Sequence, residues 1–236
     1  MMREKQFTLV GLRRTAGTLL AFLRDHVFGI SISIVFEASC EIGSSEGSCP
    51  LIAFRFGGEP DVWAFTRERH DYGEAEKRLG IERLKCGDKL IIGELEREVV
   101  FYGWLMLGKM DLDVNAEVPL SHNAAYSYKI YAVPDVRGRG ICGAYYQHLK
   151  NLLHQQGFER LVCRISPGNE ASIRAHAHAG FRACGLLCKV GVPWHSLFFA
   201  DPALRTWLPT IAPSQYFTRR GFLLRHAALN QVETRA

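Results

Sequence analysis

Nothing in the 236-residue sequence offers a membrane span, since the longest apolar run near the N terminus, Leu19 to Leu23, is stopped by Arg24 and Asp25. A bilayer needs about 20 apolar residues in a row, and a signal peptide also needs a longer core than this. No CxxC occurs among the seven cysteines, and several of them sit in apolar runs such as Leu161-Val162-Cys163. Buried reduced thiols fit that pattern better than a disulfide framework, and a cytoplasmic protein is expected. There is no HExxH, no Ser-His-Asp order and no P-loop, so zincin, triad and P-loop chemistry have no foothold. Cys184 and Cys188 with His176 and His178 match no common zinc spacing, and no metal is expected. Repeats and low-complexity tracts are also missing.

A concentrated basic face is missing too. The formal net charge is +5, yet residues 1–26 and 201–236 each carry +3, leaving the body close to neutral. That argues against nucleic acid as a partner. What remains is ordinary globular composition, 47% hydrophobic and 22% charged, in a chain long enough for a full core.

Along the chain, Phe7 to Phe28 has the spacing of an amphipathic helix with a basic face. Ile30 to Phe36 reads as a strand, Glu41 to Pro50 as a loop, and Leu51 to Phe56 and Val62 to Phe65 as short strands. Arg67 to Leu79 reads as a charged helix. Lys89 to Leu95 and Val99 to Leu107 form a hairpin around a polar turn, and Lys109 to Asn123 a polar connection. Tyr126 to Val133 alternates as a strand does and ends at Pro134. A helix follows from about Gly138 to Gln156, with Ile141, Tyr145, Leu149 and Leu152 on one stripe and Gly157 as its stop. Leu161 to Ile165 is a strand, Asn169 caps a short helix that Gly180 ends, and Phe181 to Val192 is a further strand. Phe217 and Phe222 to Leu224 are weak strand candidates. The layout is that of an α/β or α+β sheet with mixed pairing.

The segment Ile130-Tyr-Ala-Val-Pro-Asp-Val-Arg137-Gly138-Arg139-Gly140-Ile141-Cys142-Gly143 ends a strand and opens a helix through a glycine-rich turn. Such a turn lets backbone N–H groups and the helix dipole meet an anion, and Arg137 and Arg139 add charge for phosphates. A pyrophosphate-type ligand is expected. Gly138-x-Gly140-x-x-Gly143 spells the dinucleotide fingerprint, but four residues separate strand from glycine, and Ile165-Ser166 stands where an acidic ribose ligand belongs. An NAD(P)-binding reductase is therefore the weaker reading. Gly43-Ser44-Ser45-Glu46-Gly47 fits G-x-S-x-G but leads into Pro50 and a strand rather than a helix, and reads as a loop.

The same segment resembles the acetyl-CoA loop of the GNAT superfamily of acyl-CoA N-acyltransferases, [QR]-x-x-G-x-[GA], here Arg137-Gly-Arg-Gly140-Ile-Cys142. Cys142 departs from the last small position. Asn169-Glu-Ala-Ser172 followed by Gly180-Phe181 is similar to the family's second element, and Gly93 to Trp104 looks like its central hairpin. The resemblance covers about residues 88 to 192, within a single domain of 1–236. Residues 1–87 and 193–236 match nothing. It implies a central, mixed, mostly antiparallel sheet flanked by helices, with a V-shaped splay at the strand that binds CoA. It also implies acetyl-CoA as acyl donor, held by backbone of Ile130, Tyr131 and Ala132 along the pantetheine. Arg137, Gly138, Arg139, Gly140, Ile141, Cys142 and Gly143 would hold the pyrophosphate, and Asn169 would sit near the arm or thiol.

Direct transfer needs a base for the amine and a donor to the leaving thiolate. The family's usual tyrosine, seven residues after the asparagine, is His176 here, a helix-surface histidine suited to proton donation. A frequent carboxylate position, five residues before Asn169, is Arg164. Glu94 is the substitute carboxylate, with Tyr126 and Tyr128 as alternative relays. The expected activity is acetyl transfer to a primary amine of a small molecule or peptide in a ternary complex, by a monomer or homodimer. A catalytically silent acyl-CoA-binding module is the alternative. The basic ends would favour an acidic acceptor or an anionic membrane surface.

Overall fold

The computed structural model describes residues 29–41, 52–113, 116–120, 123–192, 195–204 and 208. The expected helix over 7–28, nearly all of the loop over 41–50, and the weak strands after residue 216 lie outside them. The strands are β1 (Gly29–Ser39), β2 (Ile52–Gly57), β3 (Lys89–Leu95), β4 (Glu98–Leu107), β5 (Lys109–Asp113), β6 (Ala116–Pro119), β7 (Ala124–Ala132), β8 (Arg160–Ile165), β9 (Arg182–Val192) and β10 (His195–Ala200). The helices are α1 (Glu59–Ala64), α2 (Arg67–His70), α3 (Glu74–Lys85), α4 (Ile141–Gln155) and α5 (Glu170–His178). Eight strands form one sheet in the order β10-β9-β1-β8-β7-β4-β3-β2, while β5 and β6 pair as a separate hairpin. Within the eight, only β7 and β8 run parallel.

Side chains alternate across a strand, so the sheet buries two cores. Trp104, Tyr126, Tyr128 and Leu187 pack under α1, α3 and the β5–β6 hairpin. Ile34, Phe36, Phe101 and Leu105 pack under α4 and α5. Strands in the middle are covered on both faces, and Val100 to Met106 is accordingly a nearly unbroken apolar run. The β3–β4 hairpin turns at Glu96 and Arg97, both at positive φ (52° and 69°), the geometry that matches strand twist in a two-residue turn.

Three elements differ from the sequence expectation. Val62 to Phe65 is not a strand. Pro60 presets the first turn of α1, the Asp61 carboxylate accepts from Gly58 N–H at 2.8 Å, and Val62 and Phe65 bury at helical spacing while Trp63 stays exposed. The helix expected over 67–79 breaks at Asp71, which is left-handed (φ 52°), and restarts as α3, which runs on to Lys85. The connection over 109–123 holds the β5–β6 hairpin, whose Met110 and Leu112, with Leu120 beyond it, are buried. Its polar residues mask an inward face.

The splay implied by the resemblance is present. β7 and β8 share four rungs, from Ala124↔Arg160 to Ser127↔Cys163. Beyond them β7 continues to Ala132 and β8 to Ile165 without pairing. On its other side β7 is bulged: between the rungs Trp104↔Tyr128 and Tyr102↔Tyr131, Lys129 and Ile130 oppose Gly103 alone, and Lys129 takes φ 46°. A bulge bends its strand, here away from β8.

Candidate active site

The parting strands open onto a cleft of about 560 Å³. One wall is Ile130 and Ala132 of β7 with Phe101 of β4, another is the turn from Val136 to Gly143, and the third is the α5 segment from Asn169 to His178. The turn has this form because Gly138 and Gly140 take φ 75° and 77°, a region that L side chains enter at a cost of roughly 1–2 kcal/mol. Gly140 is the N-cap of α4. The first N–H groups of that 15-residue helix have no partner within it, and its dipole adds partial positive charge there.

Close packing fixes where that helix end lies. A β-carbon on Gly103 would fall 2.6 Å from the Tyr145 hydroxyl, so only glycine lets α4 settle onto β4. Tyr145 is fully buried and bonds Ser127 Oγ at 3.1 Å. Ser127 is also the last β7 residue paired to β8, so one hydroxyl pair ties the helix to the root of the splay.

Most of the expected donor-binding residues meet here: Ile130, Ala132, Arg137, Gly138, Gly140, Ile141, Cys142, Gly143 and Asn169 all line the cleft. Tyr131 and Arg139 do not. Tyr131 stacks on Tyr102 and donates to the Arg69 carbonyl at 3.2 Å, and Arg139 is exposed on the turn. Arg137 folds back over the Tyr131 ring and donates from Nε to the Ala132 carbonyl at 2.9 Å, which occupies an acceptor expected to be free. Asn169 caps α5 with Oδ1 accepting from Ser172 N–H at 3.1 Å, leaving its amide NH₂ as the group to offer. Burial pushes the Cys142 thiol up to about 11, so it lines the cleft as a neutral small side chain.

The acid–base candidates are placed differently. His176 lines the cleft, but it is 4% exposed rather than on the helix surface. Its Nδ1 lies 2.6 Å from the Ser172 carbonyl, which can only accept, so Nδ1 carries the proton. Nε2 therefore accepts from Tyr146 Oη at 2.5 Å. Burial drives the ring down to about 4, against the backbone bond to Ser172. Glu94 is not among the cleft residues. It accepts from Arg55 Nε at 2.8 Å, and the same guanidinium holds Asp61 in two bonds. Alternation along β3 sets Glu94 on the face of Leu90 and Ile92, away from α4 and α5, where Arg55 lies on the neighbouring strand.

Arg164 follows the last β7–β8 rung. On the sheet face away from α4 it donates to Tyr126 Oη at 3.2 Å and to the Leu112 carbonyl at 3.4 Å, with Asp111 at 3.6 Å. Burial raises both Tyr126 and Tyr128 far above the usual phenol, and Tyr128 donates to the buried Asp88 at 2.5 Å. Sequence reasoning missed Tyr146, whose role depends on two helices meeting. Ala175 was missed as well, while Ala171 and Ser172, which also line the cleft, belong to the motif that follows Asn169. Among the described residues no three metal-ligating side chains cluster, and no helix is long and apolar enough to cross a membrane.

A family model described as the acetyltransferase (GNAT) family matches residues 59–181, just over half of the chain, and begins well before the 88–192 visible as a resemblance. Phosphinothricin N-acetyltransferase of Streptomyces coelicolor is 39% identical over 62 residues, 26% of this chain and 36% of that protein. An N-acetyltransferase of Streptomyces griseus is 34% identical over 77 residues, 31% of this chain and 40% of that protein. The matched part thus spans well under half of either curated relative. Among solved structures, a GNAT-family acetyltransferase from Colwellia psychrerythraea aligns at TM-score 0.50 and 16% identity, over 73% of this chain and 59% of that one. A GCN5-related glucosamine N-acetyltransferase region of a fungal multi-domain β-N-acetylglucosaminidase also aligns at TM-score 0.50, with 14% identity, over 79% of this chain and 23% of that one. At such identities these two speak for the fold.

Proposed function

The chain belongs to the GNAT acetyltransferase family, and from that membership we propose that it transfers an acetyl group from acetyl-CoA to a primary amine of a small molecule or peptide. The observation that carries this reading is the coincidence of the unpaired stretch of β7, the positive-φ glycine turn and the α4 N-terminus around one cleft. A pyrophosphate meets the N–H groups of residues 138–143 there, with Arg137 beside them. An extended pantetheine arm takes the strand-like bonds that β8 leaves unmade along β7 beyond Ser127. Asn169 supports the arm through its NH₂.

The amine nitrogen attacks the thioester carbonyl, the C–S bond breaks, and CoA leaves as thiolate. The proton shed by nitrogen ends on sulfur or in solvent. In this reading neither His176 nor Glu94 carries the proton. His176 has both ring nitrogens engaged and acts as a positioning residue, fixing the α5 wall of the cleft. Glu94 is held by Arg55 outside it. The amine then enters with its proton already lost to water.

A second reading has an observation behind it. No carboxylate lines the cleft among the described residues, as suits a module that binds acyl-CoA without turnover. Calorimetric titration with acetyl-CoA followed by thiol release over an amine panel separates the two. Micromolar binding with amine-dependent thiol release supports the transferase, binding with background hydrolysis supports the module, and no binding at millimolar ligand removes both.

A further inference from the structure

Breaking a thioester leaves an electron pair on the CoA sulfur, and a hydrogen-bond donor placed where that charge develops lowers the barrier. Among the described residues, six side chains with an N–H, O–H or S–H line the cleft: Arg137, Cys142, Asn169, Ser172, His176 and His178. Five of them are unsuited to the sulfur. Arg137 is folded back on the Ala132 carbonyl, and Cys142 lies in the first turn of α4, both at the end proposed for the pyrophosphate. Asn169 offers its NH₂ to the arm. His178 is exposed in the last turn of α5. His176 gives Nδ1–H to the Ser172 carbonyl and accepts at Nε2 from Tyr146, so its ring has no donor left. Ser172 remains, and it is the only hydroxyl of the six. Helical side chains lean toward the N terminus, which brings the His176 ring back beneath Ser172, with Oγ 3.3 Å from Nδ1. The ring is buried and Ser172 only partly so, which sets the hydroxyl on the cleft side. Because Nδ1 already carries a proton, the ring cannot accept from Oγ, and the O–H is left to point into the cleft.

Resting on the transferase reading, we propose that the Ser172 hydroxyl donates a hydrogen bond to the sulfur of the departing CoA thiolate and is thereby a catalytic residue. The Tyr146–His176 pair holds it in place from behind. The amine nitrogen bonds to the acyl carbon, the C–S bond breaks with its electron pair going to sulfur, and the amine proton passes to water. Serine is far too weak an acid to protonate a thiolate, so its O–H stays intact throughout and the bond stabilises charge rather than delivering a proton.

Ser172→Ala tests this without disturbing the helix. The Ser172 backbone N–H bonds Asn169 Oδ1 at 3.1 Å and its carbonyl accepts from His176, so alanine keeps both bonds and favours a helix. Two quantities are read on the full native chain, Ser172→Ala and Ser172→Thr. The single-turnover rate from acetyl-CoA with a saturating amine is expected to fall about a hundredfold in Ser172→Ala, the scale of one donor lost from a developing anion. It should recover in Ser172→Thr, which keeps the hydroxyl, and calorimetry should show acetyl-CoA affinity unchanged in both. The second quantity needs no turnover: the thiol of enzyme-bound CoA is titrated by the ultraviolet absorbance of its thiolate. Its midpoint should lie below that of free CoA in the native chain and in Ser172→Thr, and rise by about one pH unit in Ser172→Ala. An unchanged rate overturns the proposal. A rate that falls while the midpoint stays put also overturns it, since a change of shape alone does that. A native chain that binds acetyl-CoA without amine-dependent turnover removes the transferase reading. One that turns over and is matched by Ser172→Ala removes only the role of Ser172.

Discussion

The Tyr146 hydroxyl donates to Nε2 of His176 at 2.5 Å while Nδ1 of the same ring donates to the Ser172 carbonyl, so a neutral imidazole joins the middle of α4 to the wall of the cleft. Protonation makes Nε2 a donor, so the Tyr146 hydroxyl has to turn and accept, and the bond it donates to the ring is lost. The Phe36, Tyr146 and Phe181 rings around it offer no compensating charge.

That arrangement fixes a pH dependence. The folded ring titrates near 4 against 6.5 when unperturbed, so its contribution is complete above 6.5 and fades as pH falls through the window down to about 4. The gap corresponds to an upper bound of about 3 kcal/mol. Urea unfolding at pH 7.5 and pH 5 is expected to show a larger loss for the native chain than for His176→Phe. Equal losses would remove the buried neutral ring. The transfer rate should show no inflection that disappears with His176.

Gly140→Asp tests the anion site. A carboxylate there faces the pyrophosphate, and repulsion of about 4 kcal/mol at an effective dielectric near 20 weakens acetyl-CoA binding on the order of a thousandfold. Positive φ at this position adds a smaller stability cost. Calorimetry that returns native affinity places the phosphates elsewhere.

Gly103→Ala tests how α4 is seated. The added carbon meets Tyr145 at 2.6 Å, and overpacking of this kind costs about 1–3 kcal/mol. A melting temperature lowered by several degrees is expected, roughly 2–4 °C per kcal/mol. Adding Tyr145→Phe removes the closest atom, so the double variant should be more stable than the two single losses sum to. Simple additivity would show that the pair do not touch.

Glu94→Gln should be nearly silent. Its partner Arg55 is 43% exposed on its side chain and keeps Asp61, so the loss in stability stays within about 1 kcal/mol. Transfer over an amine panel should remain within about twofold. A rate fallen by orders of magnitude would restore Glu94 as a base.

Tyr128→Phe acts on the other core. Asp88 is buried, its Oδ1 has no hydrogen-bond partner, and Tyr128 supplies the bond to Oδ2, so the variant should lose about 2–3 kcal/mol. Burial raises the Asp88 carboxyl while the tyrosine bond lowers it. Without that bond the carboxyl protonates more readily, and the deficit should shrink as pH falls. Urea midpoints at pH 8 and pH 5 compare the two, and a deficit that grows toward pH 5 contradicts the assignment.

Local signals carried the sequence reading well. Two positive-φ glycines, a capping asparagine and alternation in β7 are decided within a few residues, and so the cleft's turn, α5 and the strands around it were legible. Val62 to Phe65 was not, because four residues are too few to tell a period of two from 3.6, and Gly58 and Pro60 were the better witnesses. His176 was misplaced for a different reason. Its burial is set by Tyr146, thirty positions earlier, and its helix shows no sign of that in its own spacing. Glu94 likewise looked available until Arg55 was brought across from the neighbouring strand.

β1 sits between β8 and β9, with Ile34 opposite Ile165 and Leu186. During synthesis this strand emerges more than a hundred residues before either neighbour exists. Closing long loops precedes the reward of pairing, so the sheet cannot be completed on a nascent chain until β9 has been made. Until then both edges of β1 are open to other chains. The polar serines interleaved at 31 and 33 are suited to that wait, because they interrupt the apolar run that would otherwise recruit a stranger in place of β8.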